Sequence, residues 1–146
     1  MTYPGMGVMI GMLGGNEENV GAWKKSQGKK ITSLSVKDDT CRIGFATHDL
    51  LIRDEGQSCC EHRYMVCDDN LASFIGGTLL EVKIKGASPI NGHNDCGEQH
   101  EIEFLHVKTS KGSFTVSNHN EHNGYYGGFH IILRTEDKRP PVQHRR

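Results

Sequence analysis

From Ile31 onward apolar residues recur at every second position, and this alternation constrains the fold more than any other feature of the chain. Successive side chains of a β-strand point to opposite faces, so a period of two describes strands with one buried face. Ile31, Leu34 and Val36 precede a turn at Asp38-Asp39, and Cys41, Ile43 and Phe45 then alternate with Arg42 and Gly44. His48-Asp49 reads as a tight turn into Leu50–Arg53, which Asp54-Glu55-Gly56 ends, so the opening is a three-stranded meander. Further on, Leu80, Val82 and Ile84 alternate with Glu81, Lys83 and Lys85. A polar loop at 87–99 leads to a strand over 101–109, whose alternation slips at Phe104-Leu105 and predicts a bulge or burial on both faces. Ser110-Lys111-Gly112 is a hairpin turn, Phe114 and Val116 continue on the return strand, and a last strand carries Phe129, Ile131 and Leu133 on one face.

Between the two sets of strands, the segment from Asp68 to Gly77 has helix punctuation at both ends. Asp68 can accept from first-turn amides, Gly76 or Gly77 can take a left-handed cap, and Leu71, Phe74 and Ile75 share a face. A short amphipathic helix is predicted there. The expected class is α+β: mainly antiparallel sheet of about six strands, one short helix, a flexible N-terminal arm and a C-terminal tail. Residues 1–30 form the arm, because seven of the eighteen glycines fall there and each costs a helix about 1 kcal/mol against alanine. Within it, Asn16 to Lys25 has room for one short helix carrying Trp23. A single domain is expected over 31–136 and a basic, disordered tail over 137–146.

The net charge of −1 conceals an uneven distribution. Residues 31–137 hold nine basic and sixteen acidic side chains, a poor match to a phosphate backbone, so nucleic acid is not an expected partner of the body. No apolar run reaches the length of a membrane-spanning helix, and no membrane partner is expected. The five cysteines are odd in number and irregularly spaced, which favours reduced thiols over a secreted disulfide scaffold. The apolar stretch from Met6 to Leu13 lacks the basic opening of a secretory signal, so the expected setting is a cytosol or the inside of a particle.

Two segments are too rich in functional groups for plain connectors. One is Gln57-Ser58-Cys59-Cys60-Glu61-His62-Arg63-Tyr64, and the other runs from Asn118 through His119, Asn120, Glu121, His122, Asn123, Gly124, Tyr125 and Tyr126 to Gly128. Both are expected at strand ends, where rigid scaffolds present binding residues. Amides, imidazoles, a carboxylate and two phenols suit a small, polar, partly aromatic ligand such as a nucleotide derivative. A plain hairpin loop built on Asn and Gly is the alternative. The same two segments, with Asp68-Asp69, Glu103-Phe104-Leu105 and Gly112-Ser113-Phe114-Thr115, resemble a family of small uncharacterised bacteriophage proteins over about residues 40–135. That resemblance implies a phage setting and no activity.

Metal binding has weak support. Cys59 and Cys60 are adjacent and would point opposite ways in an extended chain, while His119 with His122, and His93, Cys96 and His100, have only loosely ligand-like spacing. No metal and no cofactor are expected. A thiol hydrolase would use Cys60 or Cys59 as nucleophile, His122 or His119 as base, and Glu121 or Glu61 as orienter. An acid beside vicinal cysteines works against a reactive thiolate.

The favoured expectation is a non-enzymatic phage-type binding protein that sequesters a nucleotide-derived host immune signal, a counter-defence role, in the host cytoplasm and as a homo-oligomer. Its ligand-binding residues would be Cys59, Cys60, Glu61, Arg63, Tyr64, His119, Asn120, Glu121, His122, Asn123, Tyr125 and Tyr126. The alternatives are a virion-associated interaction protein, using the arm and tail, and the Cys60/His122 hydrolase. The two segments are expected to share one cleft at one end of the sheet, with Glu61, Asn120, Glu121, His122 and Asn123 at its mouth and the tyrosine rings as its wall.

Overall fold

A computed structural model of the chain describes residues 17–55, 61–86, 99–122 and 128–138. Eight strands form two four-stranded antiparallel sheets. The first contains β1 (Ser33–Lys37), β2 (Thr40–Gly44), β3 (His48–Asp54) and β8 (Ile131–Asp137), in that order. The second has the order β4-β7-β6-β5, from β4 (Glu61–Val66), β5 (Leu79–Gly86), β6 (Gln99–Thr109) and β7 (Gly112–His122). One core lies between them, with Ile43, Leu50, Ile52 and Leu133 from the first sheet against Val82, Leu105, Val107 and Val116 from the second. Each such fully buried side chain contributes about 1.5–3 kcal/mol. The β1–β2 turn puts Asp38 at φ 55°, and its carbonyl accepts from the Met65 amide, tying β4 to the first sheet.

The sheet class agrees with the period-two reading, and several local expectations do not. Among the described residues there are eight strands rather than about six. β4 was expected to be part of a loop, and β7 runs on through Asn118–His122, which read as loop too. Both segments bury polar side chains, so they lack the apolar alternation by which a strand is recognised. β6 pairs with β7 in unbroken register from Gln99 to Thr109, with no bulge at Phe104-Leu105; the irregularity lies in β5, between Leu79 and Glu81. His48 and Asp49 begin β3 instead of forming the turn.

The helix expected over 68–77 is a single 3-10 turn, Leu71–Phe74. The acidic residues before it do not cap it, and Asp69 accepts instead from the Thr115 amide at 2.9 Å. The one α-helix among the described residues is α1 (Glu17–Ser26), inside the stretch expected as an arm. It packs on β8 with Asn19, Ala22, Trp23 and Ser26 buried, in agreement with the short helix carrying Trp23 expected over Asn16 to Lys25. Asn19 Oδ1 accepts from the Leu133 amide at 2.9 Å and satisfies a donor on the sheet's edge strand. Ser26 Oγ lies 3.0 Å from His48 Nε2, both fully buried, a link between helix and sheet rather than an accessible nucleophile–base pair. The remaining arm, 1–16, and the tail from 139 lie outside the described residues.

Candidate functional site

The inner face of the second sheet changes character along its length. Ile84, Leu105 and Val116 stand abreast on β5, β6 and β7 in the apolar core. The next inward row is Gly86, Glu103, Asn118 and Met65, and the one after it is Glu101, Asn120 and Arg63. His122 and Glu61 end the series, opposite each other on β7 and β4. Asp54, at the end of β3, completes this polar end from the opposite sheet.

These groups are buried and laced together. Arg63 Nη1 donates to Asp54 Oδ1 at 2.7 Å and Nη2 to Glu61 Oε2 at 3.1 Å, and all three side chains are almost wholly inaccessible. Asn118 Nδ2 donates to Asp54 Oδ2 at 3.3 Å; Asn120 Nδ2 donates to Glu61 Oε2 at 3.3 Å and to the Gly128 carbonyl at 3.0 Å. Glu101 Oε1 accepts from the Gly128 amide at 2.7 Å and lies 3.1 Å from His122 Nε2. Gly128 holds φ +74°, a left-handed conformation that glycine adopts without a Cβ penalty. Burial pushes the Asp54 carboxyl up, while the His130 amide, Arg63 and Asn118 pull it back. Burial, reinforced by Asp54 and Glu101, pushes Glu103 up to about 7.

Three side-chain oxygens at this end have no hydrogen-bond partner among the described residues: Glu103 Oε1, Asn118 Oδ1 and Asn120 Oδ1. The amide orientations are dictated by the carboxylates, because a flip would aim each oxygen at Asp54 or Glu61. Leaving such an atom buried and unmatched costs about 1–3 kcal/mol.

Strand alternation splits the expected site between two faces. Glu61, Arg63, Asn120 and His122 point inward, whereas Tyr64, His119 and Glu121 lie on the outer face, so no single cleft mouth takes Asn120, Glu121 and His122 together. On the outer face Tyr64 stacks on His119 (centroids 4.6 Å, planes 3° apart), and its hydroxyl donates to Glu121. Burial and that bond raise the Tyr64 phenol to about 12. His100 Nε2 lies 2.9 Å from His119 Nδ1, and His119 Nε2 lies 2.9 Å from Ser117 Oγ. Since Ser117 donates to the Val66 carbonyl, its oxygen accepts from His119, and His119 Nδ1 accepts from His100. Burial and His100 lower the His119 pKa.

Cys59, Cys60, Asn123, Tyr125 and Tyr126 lie outside the described residues, as do His93 and Cys96. The described cysteines, Cys41 and Cys67, are free thiols whose pKa burial raises, to about 12 for Cys41, and this removes thiolate character. Among the described residues no group of three or more His, Cys, Asp or Glu is arranged to hold a metal ion.

Asp54, Glu101, Glu103 and Asn118 were missing from the expected residue set. For Glu101 and Glu103, on β6, the slip at Phe104-Leu105 was the signal. The inward face of β6 reads Glu101, Glu103, Leu105, Val107, so the pattern breaks where that face turns polar. Residues 24–132 match the family described as Domain of unknown function (DUF7448). No curated protein and no solved structure matches the chain.

Proposed function

This chain belongs to the DUF7448 family, whose description assigns no activity, and we propose from the chemistry of the polar end that it is a non-enzymatic binding protein for a small, polar, nucleotide-like ligand. The observation that carries this is the set of unmatched acceptors on Glu103, Asn118 and Asn120, buried in an otherwise well-bonded cluster. A folded chain tolerates such groups most readily where a partner completes them. Arg63 is engaged by Asp54 and Glu61, which suits a rigid floor better than a group that moves during turnover. The resemblance to bacteriophage proteins supplies the setting: in the host cytoplasm, a homo-oligomer would sequester a nucleotide-derived immune signal without cleaving it. Isothermal titration against cyclic and ADP-ribose-type nucleotides tests this, with recovery of unchanged ligand from the complex. Absence of heat with every nucleotide at tens of micromolar protein would overturn it.

A hydrolase reading has one observation in its favour, the contact between His122 Nε2 and Glu101 Oε1. That pair resembles the base and orienter of a thiol enzyme using Cys60. Product release from a bound nucleotide, abolished by Cys60→Ala in a folded protein, would favour it over sequestration. The virion reading rests on the arm and tail and makes no use of this cluster; detection of the chain in purified particles is its test.

A further inference from the structure

We infer that the polar end of the second sheet recognises a neutral, N–H-rich planar head, guanine among the nucleobases, entering beside Gly86 with any phosphate left outside. This deepens the binding reading and rests on it.

Hydrogen-bond polarity is the first reason. The amide nitrogens of Asn118 and Asn120 are held by Asp54, Glu61 and the Gly128 carbonyl. What remains unmatched is oxygen: Asn118 Oδ1, Asn120 Oδ1 and Glu103 Oε1. Glu103 and Asn118 face each other across β6 and β7, and Asn120 is the next inward residue along β7. Cross-strand neighbours stand about 5 Å apart and alternate residues of one strand about 7 Å apart, so the oxygens can converge on one small planar group. That group must donate. Guanine alone among the common bases carries a ring N–H beside an exocyclic amine on one edge, three N–H bonds in all; uracil offers one ring N–H, adenine and cytosine one amine.

Charge is the second reason. Asp54, Glu61, Glu101 and Glu103 converge at this end, and its buried cation, Arg63, bridges Asp54 and Glu61. A phosphate would meet carboxylates and unmatched oxygens, while the Arg63 guanidinium is already held by Asp54 and Glu61.

Access is the third. Gly86 is the cross-strand partner of Glu103, so its missing side chain would project on the same inner face. Gly86 is exposed, and among the described residues a Cβ placed there would meet nothing within 4 Å. Among the described residues, the acceptor row therefore ends at an open position.

The test uses the full chain and three probes: guanosine, inosine, which lacks the exocyclic amine, and ribose 5-phosphate. Guanosine is expected to bind, inosine about tenfold or more weakly because acceptors are again left unmatched, and ribose 5-phosphate not at all. Gly86→Val, which suits a strand, should fold with an unchanged melting temperature and lose guanosine binding. Glu103→Leu, which removes the acceptor and leaves no charge to bury, should weaken it about tenfold, while the protein stays folded. Equal affinity for guanosine and inosine, binding of ribose 5-phosphate, or undiminished binding by Gly86→Val would overturn the inference. Nucleotide binding that survives those results would leave the broader binding reading standing. Failure of every nucleoside and nucleotide to bind would remove both.

Discussion

Glu103→Gln isolates the cost of an ionised carboxylate at the buried end. The Glu103 carboxyl is raised from 4.5 to about 7, first by burial, then by Asp54 and Glu101. Its side chain belongs to a residue only 9% exposed, so solvent screening reduces the effect little. As pH rises above the ordinary glutamate value, the unfolded chain loses this proton before the folded one does. The stability contributed by the protonated group is therefore full below pH 4.5, declines through the interval up to about 7, and is gone above it. The shift corresponds to about 3 kcal/mol. Glutamine has nearly the same shape and no charge to lose. The variant should match the parent near pH 4 and exceed it by about 2–3 kcal/mol near pH 8. In urea titrations this appears as a midpoint about 1–2 M higher at the alkaline pH only. An equal gain at both pH values, or none near pH 8, would refute the reasoning, because Glu103 would then ionise in the folded protein as it does in water.

Four further outcomes follow from the same structure. Arg63→Leu should cost about 3–5 kcal/mol in urea unfolding, because it leaves Asp54 and Glu61 buried without their shared cation. The lowered His119 pKa means the unfolded state takes up the proton first, so this group's stability is present above the ordinary value of 6.5 and is lost as pH falls below it; His119→Gln should flatten that part of the acid limb. Asn19→Ala should cost about 1–3 kcal/mol by leaving the Leu133 amide without its acceptor, readable as a lowered melting temperature. Cys41, with its thiol pushed up to about 12, should resist alkylation in the native protein and react on unfolding, as peptide mapping by mass spectrometry would show.

Local periodicity carried much of the fold. The meander of β1, β2 and β3 is legible because Cys41, Ile43, Leu50 and Ile52 alternate toward the core within a few residues of one another. The same logic failed for β4, where the inward residues are Glu61, Arg63 and Met65, and for the end of β7, where they are Asn118, Asn120 and His122. Hydropathy reports burial only while burial is apolar. Helix punctuation misled for a related reason: the acidic pair is drawn to another strand, Asp69 accepting from the Thr115 amide on β7, while α1 depends on β8 to bury Trp23.

The chemistry of the candidate site divides along the same line. By itself the sequence determined that two segments, 57–64 and 118–128, concentrate polar functional groups, and that the body is antiparallel sheet, because composition and period are properties of neighbouring residues. Only the tertiary structure decided which of those groups meet. Pairing β4 with β7 sets Arg63 opposite Asn120 and Tyr64 opposite His119, on opposite faces, and packing the two sheets brings Asp54 to Arg63. Those contacts join residues distant in the chain, and their energies exist only once the sheets exclude water. A shift of one residue in register would exchange the inner and outer sets, and no local pattern specifies that register where both faces are polar.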